Sequence, residues 1–101
     1  MASRLELHDK LVEILGSNYV YYQPPESLKI QYPCIIYSLT GMDNTFADND
    51  VYLQKRMYEI TIVSYDPDNE IVEKMSKFPY TKFTRHFSSD DLNHDVFKTY
   101  F

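Results

Sequence analysis

The order of segments along this chain predicts an α+β fold, a single domain over residues 1–101. In it an antiparallel sheet of about four or five strands packs against two helices. Three observations carry that expectation. Two amphipathic helical stretches alternate with period-two apolar segments, in the order helix, strands, helix, strands. A length of 101 residues suits one modest core, burying roughly 65% of the unfolded surface. The composition, 44% hydrophobic and 25% charged with 2 glycines, is globular, and no repeat, low-complexity tract or linker interrupts it.

Ser3-Arg4-Leu5-Glu6 fits a capping box, in which Ser3 accepts from the backbone and Glu6 reaches back. A helix follows to about Leu15, with an apolar stripe of Leu5, Leu11, Val12 and Leu15 widened by Leu7 and Ile14. Gly16 supplies the left-handed stop. His8 falls on or beside the stripe, where a half-buried structural role is expected. Tyr19 to Tyr22 is a short extended segment, broken by the loop Gln23-Pro24-Pro25-Glu26.

Pro33 opens a strand over Cys34 to Thr40, ended by Gly41. Alternation places Ile35, Tyr37 and Leu39 on one face and Cys34, Ile36 and Ser38 on the other. Met42 to Asp50, MDNTFADND, is polar and acidic and exceeds a tight hairpin turn. It is either a loose hairpin loop or a protruding arm that orders on a partner, with Phe46 as anchor. Val51 to Ser64 is the longest strand, with Tyr58, Ile60 and Ile62 on its apolar face. The pair Lys55-Arg56 near its start is either solvated or set against an acidic neighbour.

Asp66-Pro67-Asp68-Asn69-Glu70 starts a second helix: Asp66 caps, Pro67 suits the first helical position and the acids complement the dipole. Ile71, Val72 and Met75 form its apolar face, and it stops by Phe78, ahead of Pro79. Two strands close the chain, Tyr80 to Phe87 and Val96 to Phe101, joined through a turn at Ser88-Ser89-Asp90-Asp91. Alternation sets Phe83, Arg85 and Phe87 on one side and Lys82, Thr84 and His86 on the other. Phe78 to Phe101 holds seven aromatic rings and ends on Tyr100-Phe101, an apolar end expected to dock on its own sheet or on a neighbour.

The net charge is −5, and ten Lys and Arg are scattered among fifteen acids, which argues against a nucleic-acid reader. Ten tyrosines suit equally a Tyr-rich sheet and a surface that is half core and half interface. Cys34, the single cysteine, is expected to be a small strand residue and not a nucleophile. No signal peptide or membrane-length apolar run is evident, so synthesis in the cytoplasm is expected.

No phosphate loop is present, and no cofactor is expected. Asp66, Asp68 and Glu70 resemble a calcium loop in spacing, but the required Gly and distal acid are missing. His86, Asp90, Asp91, His94 and Asp95 cluster within ten residues, and a hairpin could bring His86 near His94 or Asp95. The competing reading is turn chemistry at Asp90-Asp91, and a second turn or the start of a strand at Asn93-His94-Asp95. No Ser, Cys or Thr is placed as a nucleophile beside a His86–Asp95 pair.

Ser64 to Phe101 resembles the tail terminator (tail completion, or neck) proteins of long-tailed bacteriophages. The matching features are Asp66-Pro67-Asp68, Phe78-Pro79-Tyr80, Phe83 with Arg85-His86-Phe87, and Leu92-Asn93-His94-Asp95 leading into the closing aromatic strand. Upstream, Tyr32-Pro33-Cys34-Ile35-Ile36-Tyr37 and Lys55-Arg56-x-Tyr58 also fit, so the resemblance covers about two-thirds of the chain.

The resemblance implies a structural, non-enzymatic virion protein, assembled in the host cytoplasm and located at the tail neck. Such proteins form a ring, usually of six copies, on the head-proximal end of the tail tube. The ring stops tube polymerisation and offers the surface on which the head docks. The implied partners are further copies of the chain, the tail tube protein and the head–tail connector or stopper. Genomic DNA would pass through the lumen without sequence-specific binding, and no membrane is involved. The residues expected to meet partners are Phe46, Asp48, Asp50, Lys55, Arg56, Tyr100 and Phe101. Two alternatives stand beside this reading: a head-completion adaptor or stopper of the neck, and a small metal-dependent enzyme using His86, His94 and Asp95.

Overall fold

A computed structural model of the chain describes residues 4–24, 30–47, 50–66 and 70–101; across 43–47 and 50–55 it describes the backbone alone. The elements run α1 (Arg4–Leu15), β1 (Val20–Tyr22), β2 (Cys34–Ala47), β3 (Asp50–Ser64), α2 (Glu70–Ser76), β4 (Thr81–Ser89) and β5 (Leu92–Tyr100). The strands form one five-stranded sheet in the order β1-β2-β3-β5-β4, with both helices packed on one face. The α+β architecture is the expected one. One pairing departs from it: β1 runs parallel to β2, with Val20 opposite Ile35 and Tyr22 opposite Tyr37. β2 therefore runs in the same direction as β1.

Helix α1 ends at Gly16, whose φ of +79° and N–H bond to Val12 O at 2.8 Å make the expected left-handed stop. The capping residue Ser3 lies outside the described residues. The buried stripe is centred on Leu7 and Leu11, one turn apart, while Leu5 is 64% exposed. Leu5 is two positions from Leu7, which rotates it about 200° around the helix and off the packed face. The N-terminal half of α1 is tied to the sheet through Tyr37. Arg4 Nη1 donates to the Tyr37 hydroxyl at 3.1 Å, and His8 Nδ1 lies 2.8 Å from it. The Arg4 guanidinium also sits 4.4 Å over the Tyr22 ring. His8 therefore has the structural role expected of it.

The core lies between the helices and one sheet face. Leu7 and Leu11 of α1 and Ile71 and Met75 of α2 meet Ile35, Tyr37, Tyr58, Ile60, Ile62 and Phe97. Alternation assigned Ile35, Tyr37, Tyr58, Ile60 and Ile62 correctly, and cross-strand register confirms it: Ile60 stands opposite both Tyr37 and Phe97. On the other face a smaller cluster of Cys34, Val63 and Leu92 is covered by Ile30, Tyr32, Tyr21 and Ile36. Helix α2 is described from Glu70; its expected start at Pro67 to Asn69 lies outside the described residues. Its end is as expected, with Phe78 N bonded back to Met75 O at 3.0 Å just before Pro79.

The largest departure is at Met42 to Asp50. The described backbone there is strand, with residues 48 and 49 outside the described residues: β2 continues to Ala47, β3 begins at Asp50, and Met42 pairs with Arg56, Asn44 with Gln54 and Phe46 with Val51. Along this two-stranded ribbon, Met42 to Asp50 has no apolar alternation, so its sequence carries none of the usual strand signal. The ribbon lengthens the molecule to 52 × 28 × 23 Å.

Candidate partner-binding surface

Strand β4 forms one edge of the sheet and pairs only with β5 among the described strands. The strands meet through Asp90 and Asp91, both at positive φ (53° and 64°), the geometry of a tight two-residue hairpin turn. Leu92, Asn93 and His94 are already strand residues, so β5 starts four positions before the expected Val96. A turn this short lets the ladder begin at once, with Ser89 opposite Leu92.

A register shift between Phe83 and Arg85 breaks the alternation of β4. Thr84 is the extra residue of a bulge, so the chain changes faces at that point. Phe83 stands opposite Phe97 on the helix side, its ring edge-on at 5.3 Å, and shares that side with His86. Arg85 and Phe87 stand opposite Val96 and His94 on the open face. The expected grouping of Phe83, Arg85 and Phe87 on one side is therefore corrected.

The register set by the turn, with His86 opposite Asp95 and His94 opposite Phe87, separates the histidines. His86 Nδ1 lies 2.7 Å from Asp95 Oδ1, which is buried beneath it. His94, one residue along β5, is on the opposite face, stacked on Phe87 at 4.5 Å, with its Nδ1 3.3 Å from Leu92 O. His86, His94 and Asp95 thus do not converge on one point, and no group of three metal-ligating side chains occurs among the described residues. The His86–Asp95 pair joins the edge strand to β5. Cys34 is fully buried, and burial pushes its thiol up to about 12, which removes it as a thiolate nucleophile.

Every residue of β4 after Thr81 is exposed, including Phe83 and Phe87. The strand carries Lys82, Arg85 and His86 and no acid, although the chain as a whole is at −5. On the open face Lys82 sits directly opposite Lys98, a like-charge pair that weakens the sheet it belongs to. Neither Lys82, Arg85 nor Lys98 forms an ion pair with a described residue. Such a local conflict makes β4 the candidate partner-binding edge. Sequence reading missed it, although an acid-free cationic segment in an acidic chain was the available signal.

The expected partner-binding residues are spread over three places. Asp48 lies outside the described residues; Phe46, Asp50 and Lys55 are on the described backbone of the ribbon. Arg56 is half-buried at the ribbon's base, where its carbonyl accepts from Phe101 N at 2.9 Å. Tyr100 is 40% exposed at the end of β5. Phe101 packs within its own chain, stacked on Phe78 at 6.2 Å and 13° and set against the main core. Phe101→Ala should cost about 1–2 kcal/mol in urea unfolding, and Tyr100→Ala no more than about 0.5 kcal/mol. Equal losses at the two positions would contradict this assignment.

No family model matches the chain, and no curated protein matches it.

Proposed function

We propose that this chain is a structural protein of a long-tailed phage, a tail terminator. It would form a ring, usually of six copies, on the head-proximal end of the tail tube, stop tube growth and receive the head connector. The observation that carries this reading is the resemblance of Ser64 to Phe101, together with its upstream matches around Pro33 and Arg56.

Three features support it. Among the described residues two kinds of sheet edge lack a flanking strand, at β4 and along the β2–β3 ribbon, which suits a subunit that repeats head to tail. Its net negative charge suits a lumen that passes DNA without gripping it. Its histidines and cysteine are placed in structural contacts. The adaptor or stopper reading shares the first two features, so the distinguishing observation is the infection phenotype.

An amber mutation in the gene is expected to give unjoined heads and tails, with tails over-long or irregular at the head-proximal end. Electron microscopy of the lysate reads this directly. Tails of normal length beside heads that lose their DNA would reject the terminator in favour of the stopper.

A further inference from the structure

We infer that β4 is the receiving edge for the β2–β3 ribbon of a second copy of this chain. The inference deepens the ring reading and rests on it.

Two free edges make the case. β4 has a partner strand on one side only. Past its foot, the ribbon has no strand beside it on either side among the described residues. On one, β1 pairs with β2 no further than Tyr37, and Gln23 closes that ladder by donating its N–H to Tyr37 O. On the other, β5 pairs with β3 no further than Met57. Leu39 N still donates to Gln23 Oε1 and Arg56 O still accepts from Phe101 N; past those two residues, among the described residues, the ribbon's strands pair only with each other. An unpaired strand edge is a template for another strand, and proteins ordinarily blunt or cover it.

Charge decides which edges meet. The ribbon sequence from Met42 to Arg56 contains Asp43, Asp48 and Asp50 and the bases Lys55 and Arg56. Both bases are at the ribbon's foot, in register with Asp43 and Met42, so the stretch between Asn44 and Gln54 carries acids, Asp48 and Asp50, and no base. β4 presents Lys82 and Arg85 and carries no acid of its own, while its His86 is engaged with Asp95 of β5. Pairing β4 with β4 across a two-fold axis would bring like charges together in a strand pair, which is unfavourable. Pairing β4 with the ribbon brings opposite charges together, which favours encounter and fixes the register. The contact joins different surfaces on the two copies, so repeating it builds a ring or a filament and not a closed dimer.

Charge reversal in trans tests this. One variant carries Lys82→Glu and Arg85→Glu; a second carries Asp48→Lys and Asp50→Lys. Sedimentation velocity of the full chain over a concentration series reads association, and circular dichroism checks that each variant is folded. The wild type should associate. Each variant alone should associate about tenfold or more weakly. An equimolar mixture of the two should recover wild-type association, because every ribbon then meets a β4 of opposite sign.

Three results would overturn the inference: a wild type that is monomeric at every concentration, folded variants that do not recover on mixing, or recovery when the β4 variant is mixed with wild type to the same extent, which indicates β4–β4 pairing. The tail phenotype is an independent readout. Over-long tails without recovery in trans would keep the tail function and remove this interface, and recovery without a tail phenotype would do the reverse.

Discussion

Phe97→Ala is expected to destabilise the domain by about 3–5 kcal/mol, enough to unfold much of the population if the wild type has the 5–15 kcal/mol usual for a domain. Phe97 is 1% exposed and lies in the central part of β5, opposite Ile60 on one side and Phe83 on the other. Both helices pack on the same sheet face, so a cavity there is bordered by elements that cannot all move inward together. Phe83, the other ring of the pair, is 48% exposed, and Phe83→Ala should cost below about 1 kcal/mol. Urea midpoints at unchanged slope measure both. A loss at Phe97 no larger than that at Phe83 would mean the core is not where the structure puts it.

The contrast within that pair shows what the sequence could and could not convey. Phe83 and Phe97 are the same residue type in similar strands, and alternation alone treats them alike. Their difference comes from strand order, since β5 is flanked on both sides and β4 on one. Strand order depends on pairings between distant segments, and no local pattern encodes it. Signals that act over a few residues were legible: the stop at Gly16, the turn at Asp90 and Asp91, and the face shared by Tyr58, Ile60 and Ile62.

The candidate surface was legible only in part, for the same reason. The bulge at Thr84 moves Arg85 and Phe87 to the open face, and nothing in the local sequence marks that residue as the extra one. The ribbon from Met42 was hidden because its sequence lacks sustained apolar alternation, so its polar residues fit a loop as well as a strand. The charges were visible throughout. What became apparent only with the topology is that the acid-free cationic stretch and the acidic stretch both lie on strands with open edges.

Stability is expected to fall as pH rises from about 9 to 12, and Cys34 should account for a separable part of the loss. Cys34 is fully buried between β1 and β3, and burial raises its thiol from the ordinary 9.0 to about 12. Above pH 9 the unfolded chain releases the thiol proton while the folded chain retains it. The unfolded state then binds fewer protons, so the slope of unfolding free energy against pH is negative. Below pH 9 both states are protonated and the group contributes no slope. The shift corresponds to an upper bound of about 4 kcal/mol. Burial also raises the Tyr37 phenol, with Arg4 opposing, and raises Tyr32, so two further groups steepen the fall above pH 10. Cys34→Ala removes the thiol and leaves both tyrosines. Urea unfolding of the two proteins from pH 8 to 11 should give a shallower decline for the variant, starting nearer pH 10. Parallel declines would show that the thiol ionises as readily in the folded chain as in the unfolded one.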